Sequence, residues 1–210
     1  MGSPPSDVCV VLFHGSYLPL HGIDVILRAA EELKGRPGIR FRMVGRGPGY
    51  PRITTLAGEL GLGNIEFLES VPLESLPNLI AGADICLGGH FGDSDKALRV
   101  IAGKTFQDIA MGKPTIVGDT RANHELLTHG MDAWFVPPSD PAALAAGIAE
   151  LAEQPELRRR IGAAAAETFR KHASMEVLAP QVKAVVEKTI AARDEAGSAT
   201  GDTDQPENDP

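Results

Sequence analysis

The stretch VIAGKTFQDIAMGKPTIVGD, residues 100–119, decides the fold. It predicts a short helix that begins at Gly103, ends at Gly112 and leads into an apolar β-strand over residues 115–117. The first turn of a helix carries amide N–H groups without internal partners, together with the positive end of the helix dipole. Lys104 adds a full charge at the same place, so the stretch suits a phosphate; an ordinary helix with a surface lysine fits the local sequence equally well.

Outward from this stretch, apolar runs typical of strands alternate with segments of helical periodicity. Strands are predicted at residues 8–13, 39–44, 65–68, 84–88, 115–117 and 133–136. Helices are predicted at residues 23–34, 53–60, 74–81, 122–127, 155–172 and 175–192, with others beginning at 103 and 141. Such alternation predicts an α/β fold: a Rossmann-like parallel sheet with helices on both faces and a helical C-terminus.

The chain of 210 residues divides into three parts by composition. Residues 1–7 lack the basic and then apolar profile of a secretory signal and are expected to be a linker or a cloning remnant. Residues 8–193 are expected to form one domain with a sizeable core. Residues 194–210, rich in Gly, Ser, Thr, Asp and Pro, are expected to be disordered. No run of about 18 apolar residues predicts a transmembrane segment.

Charge and cysteine content narrow the function classes. The net charge of −8 argues against a nucleic-acid partner, because no basic stripe is visible. Cys9 and Cys86 each lie in a predicted strand, and we expect buried free thiols, which fit a reducing cytoplasm. His14 and His21 share a loop in which no cysteine or carboxylate completes a ligand set, so no metal site is predicted.

Several glycine-containing loops fall at one edge of the predicted sheet. Gly15, residues 45–47 and residues 88–89 each follow a strand, and so does the long irregular stretch 90–103 that ends beside Lys104. In parallel sheets, ligands bind beyond the carboxyl ends of the strands. Long loops in compact domains are usually functional or disordered. This edge is therefore the candidate binding site.

Two motifs at this edge invite other functions. The run GRGPG, residues 45–49, suggests a dinucleotide site, but Tyr50 holds the place of the third glycine and Pro48 breaks the usual turn. A tight turn with a useful arginine, Arg46, is the better interpretation. Ser16 has glycine on one side only and no acid–base partner placed by spacing, so a nucleophile elbow is not predicted.

Polar residues in and after the long loop have a structural and a functional interpretation. Asp93, next to Gly92, belongs either to a solvated charge run or to a site for sugar hydroxyls. Gln107, one turn into the helix, either caps locally or reaches a ligand. Asp108 is expected to be exposed.

Short motifs in a characteristic order suggest a family. They are GRGP (45–48), IEFLESV (65–71), ADICL (83–87), GKTFQ (103–107), AMGKP (110–114), NHELL (123–127) and VPPSD (136–140). Over roughly residues 8–186 the chain resembles the C-terminal, donor-binding half of a GT-B glycosyltransferase of the retaining family 4, or group 1, type. The resemblance implies donor-binding roles for Gly15, Ser16, Arg46, Gly47, Val71, Phe91, Gly92, Asp93, Gly103, Lys104, Thr105 and Gln107.

The implied roles divide by the part of the donor. Gly15 would approach the diphosphate, and residues 103–105 would hold its phosphates. The turn around Arg46 and the backbone of Val71 would frame the nucleobase. Gln107 stands where the family usually has a glutamate that contacts the ribose; the amide still accepts a hydrogen bond but carries no charge.

Two other departures from the family concern charge. Ser16 and His21 stand where the family commonly has an arginine and a lysine that neutralise the diphosphate. The family's glutamate near the sugar is replaced in its region by residues 91–93, and no catalytic residue is assigned. Lys104 is expected to supply the missing positive charge.

The resemblance implies transfer of a hexosyl group from a UDP- or GDP-linked sugar with retained configuration and no metal or other cofactor. Acceptor contacts would come from a separate N-terminal domain or subunit, so this chain alone is expected to be inactive. A cytoplasmic location is expected, with peripheral membrane association of the full enzyme. The rivals are a non-catalytic nucleotide-binding or interaction module on the same fold and, more distantly, an NAD-dependent oxidoreductase.

Overall fold

The strands form a single parallel sheet. The structure, a computed structural model, describes residues 8–199, with side chains through residue 193. The strands are β1 Cys9–His14, β2 Ile39–Val44, β3 Ile65–Leu68, β4 Ile85–Leu87, β5 Thr115–Gly118 and β6 Trp134–Val136. Every neighbouring pair in the order β3-β2-β1-β4-β5-β6 is parallel. This confirms the predicted Rossmann-like α/β fold.

Helices connect and flank these strands. The described residues contain α1 Ile23–Glu32, α2 Tyr50–Glu59, α3 Leu76–Ala81, α4 Asp95–Arg99, α5 Gly103–Ala110, α6 Arg121–His124, α7 Pro141–Glu153, α8 Pro155–His172 and α9 Met175–Ala199. Local sequence sets several of their beginnings. At α7, for example, Pro141 takes the first position and the Asp140 side chain accepts a hydrogen bond from Ala143 N at 2.9 Å.

Side chains alternate between the two faces of the sheet along each strand, and helices pack on both faces and bury them. In β1, Val11 and Phe13 belong to the large core that includes α1 and α7, whereas Leu12 packs on the opposite face with Ile80 of α3. All six residues of β1 are buried. A strand buried in this way must be a continuous apolar run, and VVLF in β1 is one.

The order of the strands creates one topological switch point. From β1 the chain proceeds to β2 and β3 on one side, and then returns to place β4 on the other side of β1. The β1–β4 pair joins Val11 to Ile85 and Leu12 to Cys86. The loops that leave β1 and β4 therefore diverge, and a crevice at such a point is where open α/β sheets bind ligands.

One helix lies inside the stretch predicted to be irregular. Helix α4 occupies Asp95–Arg99, with the Ser94 hydroxyl accepting a hydrogen bond from Ala97 N at 3.3 Å. Ala97 is its only buried residue. With a single buried side chain, this five-residue helix has no repeating apolar pattern that the sequence could reveal.

The chain divides into two compact units, the first ending at Arg170 and the second beginning at Lys171. In the second unit, α9 continues to Ala199, past the predicted end at residue 192, so residues 194–199 of the expected disordered tail are helical. The expectations for residues 1–7 and 200–210 fall outside the described residues. None of the described helices has the length and apolar content needed to cross a membrane.

Candidate functional site

The loops after β1 and β2 touch at the carboxyl edge of the sheet through two glycines. Gly15 and Gly45 have φ angles of 136° and 131°, and a Cβ on Gly45 would lie 2.1 Å from Gly15 O. Gly15 N donates to Val44 O and Gly45 N donates to Leu68 O, each at 2.9 Å. Only glycine permits both this conformation and this contact. The first two loops are therefore held as one rigid surface.

Tyr17 fastens these two loops together. Its backbone N–H donates to Arg46 O at 3.2 Å, and a Cβ on Gly47 would lie 2.7 Å from the same nitrogen. The Tyr17 ring is buried and stacks on Tyr50 with 5.4 Å between centroids. Burial raises the pKa of the Tyr17 hydroxyl. The predicted glycine turn after β2 thus serves to pack against the loop after β1.

Lys104 is a buried cation at the switch point. Its side chain is 8% exposed, and Nζ lies 4.8 Å from the centroid of the Phe13 ring. Nζ would lie 3.6 Å from a Cβ on Gly15 and 3.9 Å from a Cβ on Gly89, so the ammonium sits between the loops after β1 and β4. No carboxylate among the described residues forms a salt bridge with it. Burial lowers the pKa of Lys104 to about 8, against the opposing effect of Asp108.

The first turn of α5 leaves amide groups unpaired beside this lysine. Ala102 is the N-cap residue and provides no side-chain hydrogen bond. The amides of Gly103 and Lys104 have no acceptor within the described part of the chain, whereas Thr105 N donates to Ala102 O at 2.9 Å. Free amides at a helix start and a buried ammonium together favour an anion.

Beneath Lys104 lies a buried polar pair that sequence reasoning missed. Asp108 was expected to be exposed, but it is 0% exposed and its Oδ1 lies 2.8 Å from His14 Nε2. Burial raises the pKa of Asp108, and the bond with His14 opposes this shift. The Cys86 thiol, a weak donor, faces the same carboxyl group. The expectation was wrong because Asp108 lies on the face of α5 that packs on the sheet.

Two imidazole rings lie beside Lys104. His21 and His90 stack with 5.4 Å between centroids and 5° between planes. A Cβ on Gly15 would lie 3.9 Å from His21 Cε1, so this ring and the ammonium share one side of the loop. Burial and, after it, the charge of Lys104 lower the pKa of His21 to about 4 and lower that of His90 as well. The sequence analysis did not single out His90; its position directly after the glycine pair 88–89 was the available signal for a place in the site.

Of the predicted site residues, Gly15, Gly103 and Lys104 come together at the switch point. Ser16 is exposed, and its carbonyl oxygen accepts a hydrogen bond from His21 Nδ1. Gln107 is exposed on α5.

Thr105 and Phe91 have a different placement from the one predicted. Thr105 is 0% exposed, and its hydroxyl donates to Gly88 O at 3.3 Å, so both of its donors are used within the protein. Phe91 is 0% exposed in the core; its N–H donates to His21 O and its carbonyl accepts from Ser139 N. Both residues hold loops in place and present no free group to a ligand.

The other predicted residues lie away from Lys104 or at the surface. Arg46 is exposed, pairs with Glu69 at 2.5 Å and lies 5.2 Å from the Tyr50 ring centroid. Val71 is half-buried against the face of the sheet that holds Leu12. Gly92 N donates to a backbone carbonyl before α1, and Asp93 is exposed.

The structure is thus a parallel α/β domain whose switch point holds a buried cation without a salt bridge to any described residue, an arrangement that suits an anion. Residues 8–154 match the family model described as Glycosyl transferases group 1. The chain belongs to this family.

Individual relatives agree with this assignment. The chain is 26% identical over 189 residues to the lipopolysaccharide core biosynthesis glycosyltransferase LpsD of Rhizobium meliloti, covering 90% of this chain and 52% of that protein. It is 30% identical over 173 residues to the D-inositol 3-phosphate glycosyltransferase of Streptomyces scabiei, covering 77% and 37%. The chain thus spans about half the length of the first relative and less of the second.

Among solved structures, Anabaena HepE in complex with UDP-glucose is similar to this chain. The TM-score is 0.77 at 17% identity, covering 87% of this chain and 50% of that one. At this identity the likeness concerns the fold, which is that of a GT-B domain.

Proposed function

We propose that this chain is the donor-binding half of a retaining glycosyltransferase that transfers a hexosyl group from a UDP- or GDP-linked sugar. One observation carries the proposal: Lys104 is a buried ammonium that forms no salt bridge within residues 8–193, and it lies between the loops after β1 and β4. A buried charge is costly unless it is paired. The diphosphate of a nucleotide sugar would provide the pairing anion.

In this proposal the protein stabilises the departing nucleoside diphosphate. Lys104 and the free amides of Gly103 and Lys104 would contact the phosphate oxygens as negative charge develops on them. Gly15 would let the backbone approach the same oxygens closely. Because these donors are fixed by the sheet and by α5, they need little rearrangement when the sugar bond breaks. The proposal assigns this role to Lys104 and the amides and includes no metal ion.

Other predicted residues would recognise the rest of the donor. Gln107, exposed one turn into α5, would accept a hydrogen bond from a ribose hydroxyl. The turn around Arg46 and the backbone of Val71 would frame the nucleobase, and Asp93 would face sugar hydroxyls. HepE holds UDP-glucose on the same fold, which supports a nucleotide-sugar ligand.

The acceptor would be bound by a separate N-terminal half. Support comes from LpsD, of which this chain spans 52%. The chain alone would then bind donor and catalyse little transfer. A cytoplasmic location, with the complete enzyme associated peripherally with a membrane, follows as part of the same proposal.

Calorimetric titration with UDP-glucose, GDP-mannose and ADP-glucose tests this function. One donor is expected to bind, and Lys104→Met, which keeps the apolar stem but removes the charge, is expected to weaken binding at least about tenfold. Lys34→Met is the matched control. It removes one positive charge just after the C-terminal end of α1 and should leave binding unchanged. NAD binding without nucleotide-sugar binding would refute the proposal.

Gln107, Ser16 and His21 favour a second candidate, a non-catalytic nucleotide-binding or interaction module. The resemblance implies a glutamate, an arginine and a lysine at these positions. A chimera in which this chain replaces the corresponding half of LpsD separates the two candidates. Transfer of sugar by the chimera indicates an enzyme part; donor binding without transfer indicates a module.

A further inference from the structure

The proposed diphosphate site holds less positive charge than its ligand holds negative charge. A diphosphate diester carries two negative charges, and Lys104 supplies one positive charge. Two other groups able to gain a positive charge lie beside it, the stacked rings of His21 and His90. The following inference rests on the proposed function and adds a pH response to it.

His21 has one nitrogen free to receive a proton. Its Nδ1 bonds to the carbonyl oxygen of Ser16, which can only accept, so Nδ1 carries the proton of the neutral ring. The bare nitrogen is then Nε2. Since Cε1 of this ring and Nζ of Lys104 lie on the same side of Gly15, a proton added to His21 would increase the positive charge of the phosphate site.

His90 has an unused nitrogen as well. The side chain is 4% exposed, and its Nδ1 has no hydrogen-bond partner in the described structure. The carbonyls of Ala97 and Val100 lie near the ring and raise its pKa, although burial and Lys104 outweigh them. A buried nitrogen without a partner is costly, and a proton on it would let the ring donate to one of these two carbonyls.

We propose that the stacked pair of His21 and His90 is a proton-dependent ligand of the donor's diphosphate. The pair takes up one proton as the anion binds, so donor affinity rises as the pH falls. One proton is expected rather than two, because two stacked imidazolium rings beside Lys104 would repel each other.

The charges around the pair explain why the proton is absent before the anion arrives. Lys104 of α5 disfavours protonation of both rings, and Lys96 of α4 disfavours protonation of His90. Asp108, the carboxylate of α5 one turn beyond Lys104, is engaged by His14. A diphosphate against Lys104 reverses the local field and favours the imidazolium form.

Calorimetry with UDP-glucose at about pH 7 and about pH 5.5, in buffers of different ionisation enthalpy, measures this proton uptake. UDP-glucose is chosen because both of its phosphates are diesters and lack the second ionisation near pH 6 of a terminal phosphate. If one ring returns from about 4 to its ordinary pKa near 6.5, binding at the lower pH is about tenfold tighter and takes up nearly one proton.

Variants locate the proton. The double change His21→Gln and His90→Gln is expected to abolish the gain in affinity at low pH, whereas His172→Gln, at an exposed histidine ending α8, should retain it. If the double variant does not fold, the number of protons that the unmodified chain takes up on binding UDP-glucose tests the inference instead.

The outcomes separate the two proposals. Lys104-dependent binding with equal affinity at both pH values and no proton uptake overturns this inference and leaves the proposed function standing. A double variant that keeps the pH dependence also overturns it. No binding of UDP-glucose or GDP-mannose at either pH overturns the proposed function.

Discussion

The buried pair of His14 and Asp108 allows a double-mutant cycle whose outcome follows from the structure. The two atoms lie 2.8 Å apart, and side-chain exposure is 6% for His14 and 0% for Asp108. Removing one partner of a buried pair leaves the other without a hydrogen-bond partner, so Asp108→Ala is expected to lower the free energy of unfolding by about 1–3 kcal/mol. Replacing both, with His14→Val and Asp108→Ala, should recover most of this loss.

Chemical denaturation at neutral pH measures the cycle. Glu150→Ala, which removes an exposed carboxylate from α7, is the control and should change stability by less than about 0.5 kcal/mol. The reasoning fails if Asp108→Ala alone is as mild as the control. It also fails if the double variant is less stable than Asp108→Ala, because the two side chains would then not act as a pair.

Three further predictions concern glycine, histidine and cysteine residues of the domain. Gly45→Ala should lower the free energy of unfolding by at least about 1–3 kcal/mol, because it strains a positive φ and meets backbone; Gly58→Ala, in open space on α2, should raise it by about 0.5–1 kcal/mol. Burial lowers the pKa of His21 to about 4 in the folded chain, against about 6.5 in the unfolded chain. The contribution of His21 to the free energy of unfolding is therefore present above pH 6.5 and is lost as the pH falls towards 4. Thermal melts without ligand over this pH range will measure the loss. Burial raises the pKa of the Cys9 thiol to about 11 and that of Cys86 well above its usual value, so a thiol reagent should label neither until the protein unfolds.

The sheet and the loops at its carboxyl edge were predictable because local sequence signals specify them. Continuous apolar runs such as β1, bounded by turn residues, are typical of strands buried on both faces, and glycine at the end of a strand marks a tight turn. Lys104 was correctly placed at this edge for the same reason: it follows a strand-associated loop at the beginning of a helix. Only the strand order, which makes β1–β4 the switch point, needed the structure.

The side-chain environment within the site was not predictable from local sequence. Gln107 and Asp108 are neighbours, yet the first is exposed and the second is buried, because the phase of α5 against the sheet decides which side chain faces inward. Asp108 finds its partner in His14, 94 residues earlier in the chain. Thr105 likewise bonds to Gly88 O, a contact that no spacing within the helix reveals.

The role proposed for Lys104 is tested most sharply by the pKa of its ammonium, measured by NMR before and after addition of the donor sugar that binds. Without ligand we expect a value near 8, because burial lowers this pKa. With the diphosphate bound, the value should rise to about 10 or above, because the ammonium has gained its counter-charge. A donor that binds while this pKa stays unchanged would contradict the central claim that Lys104 holds the diphosphate.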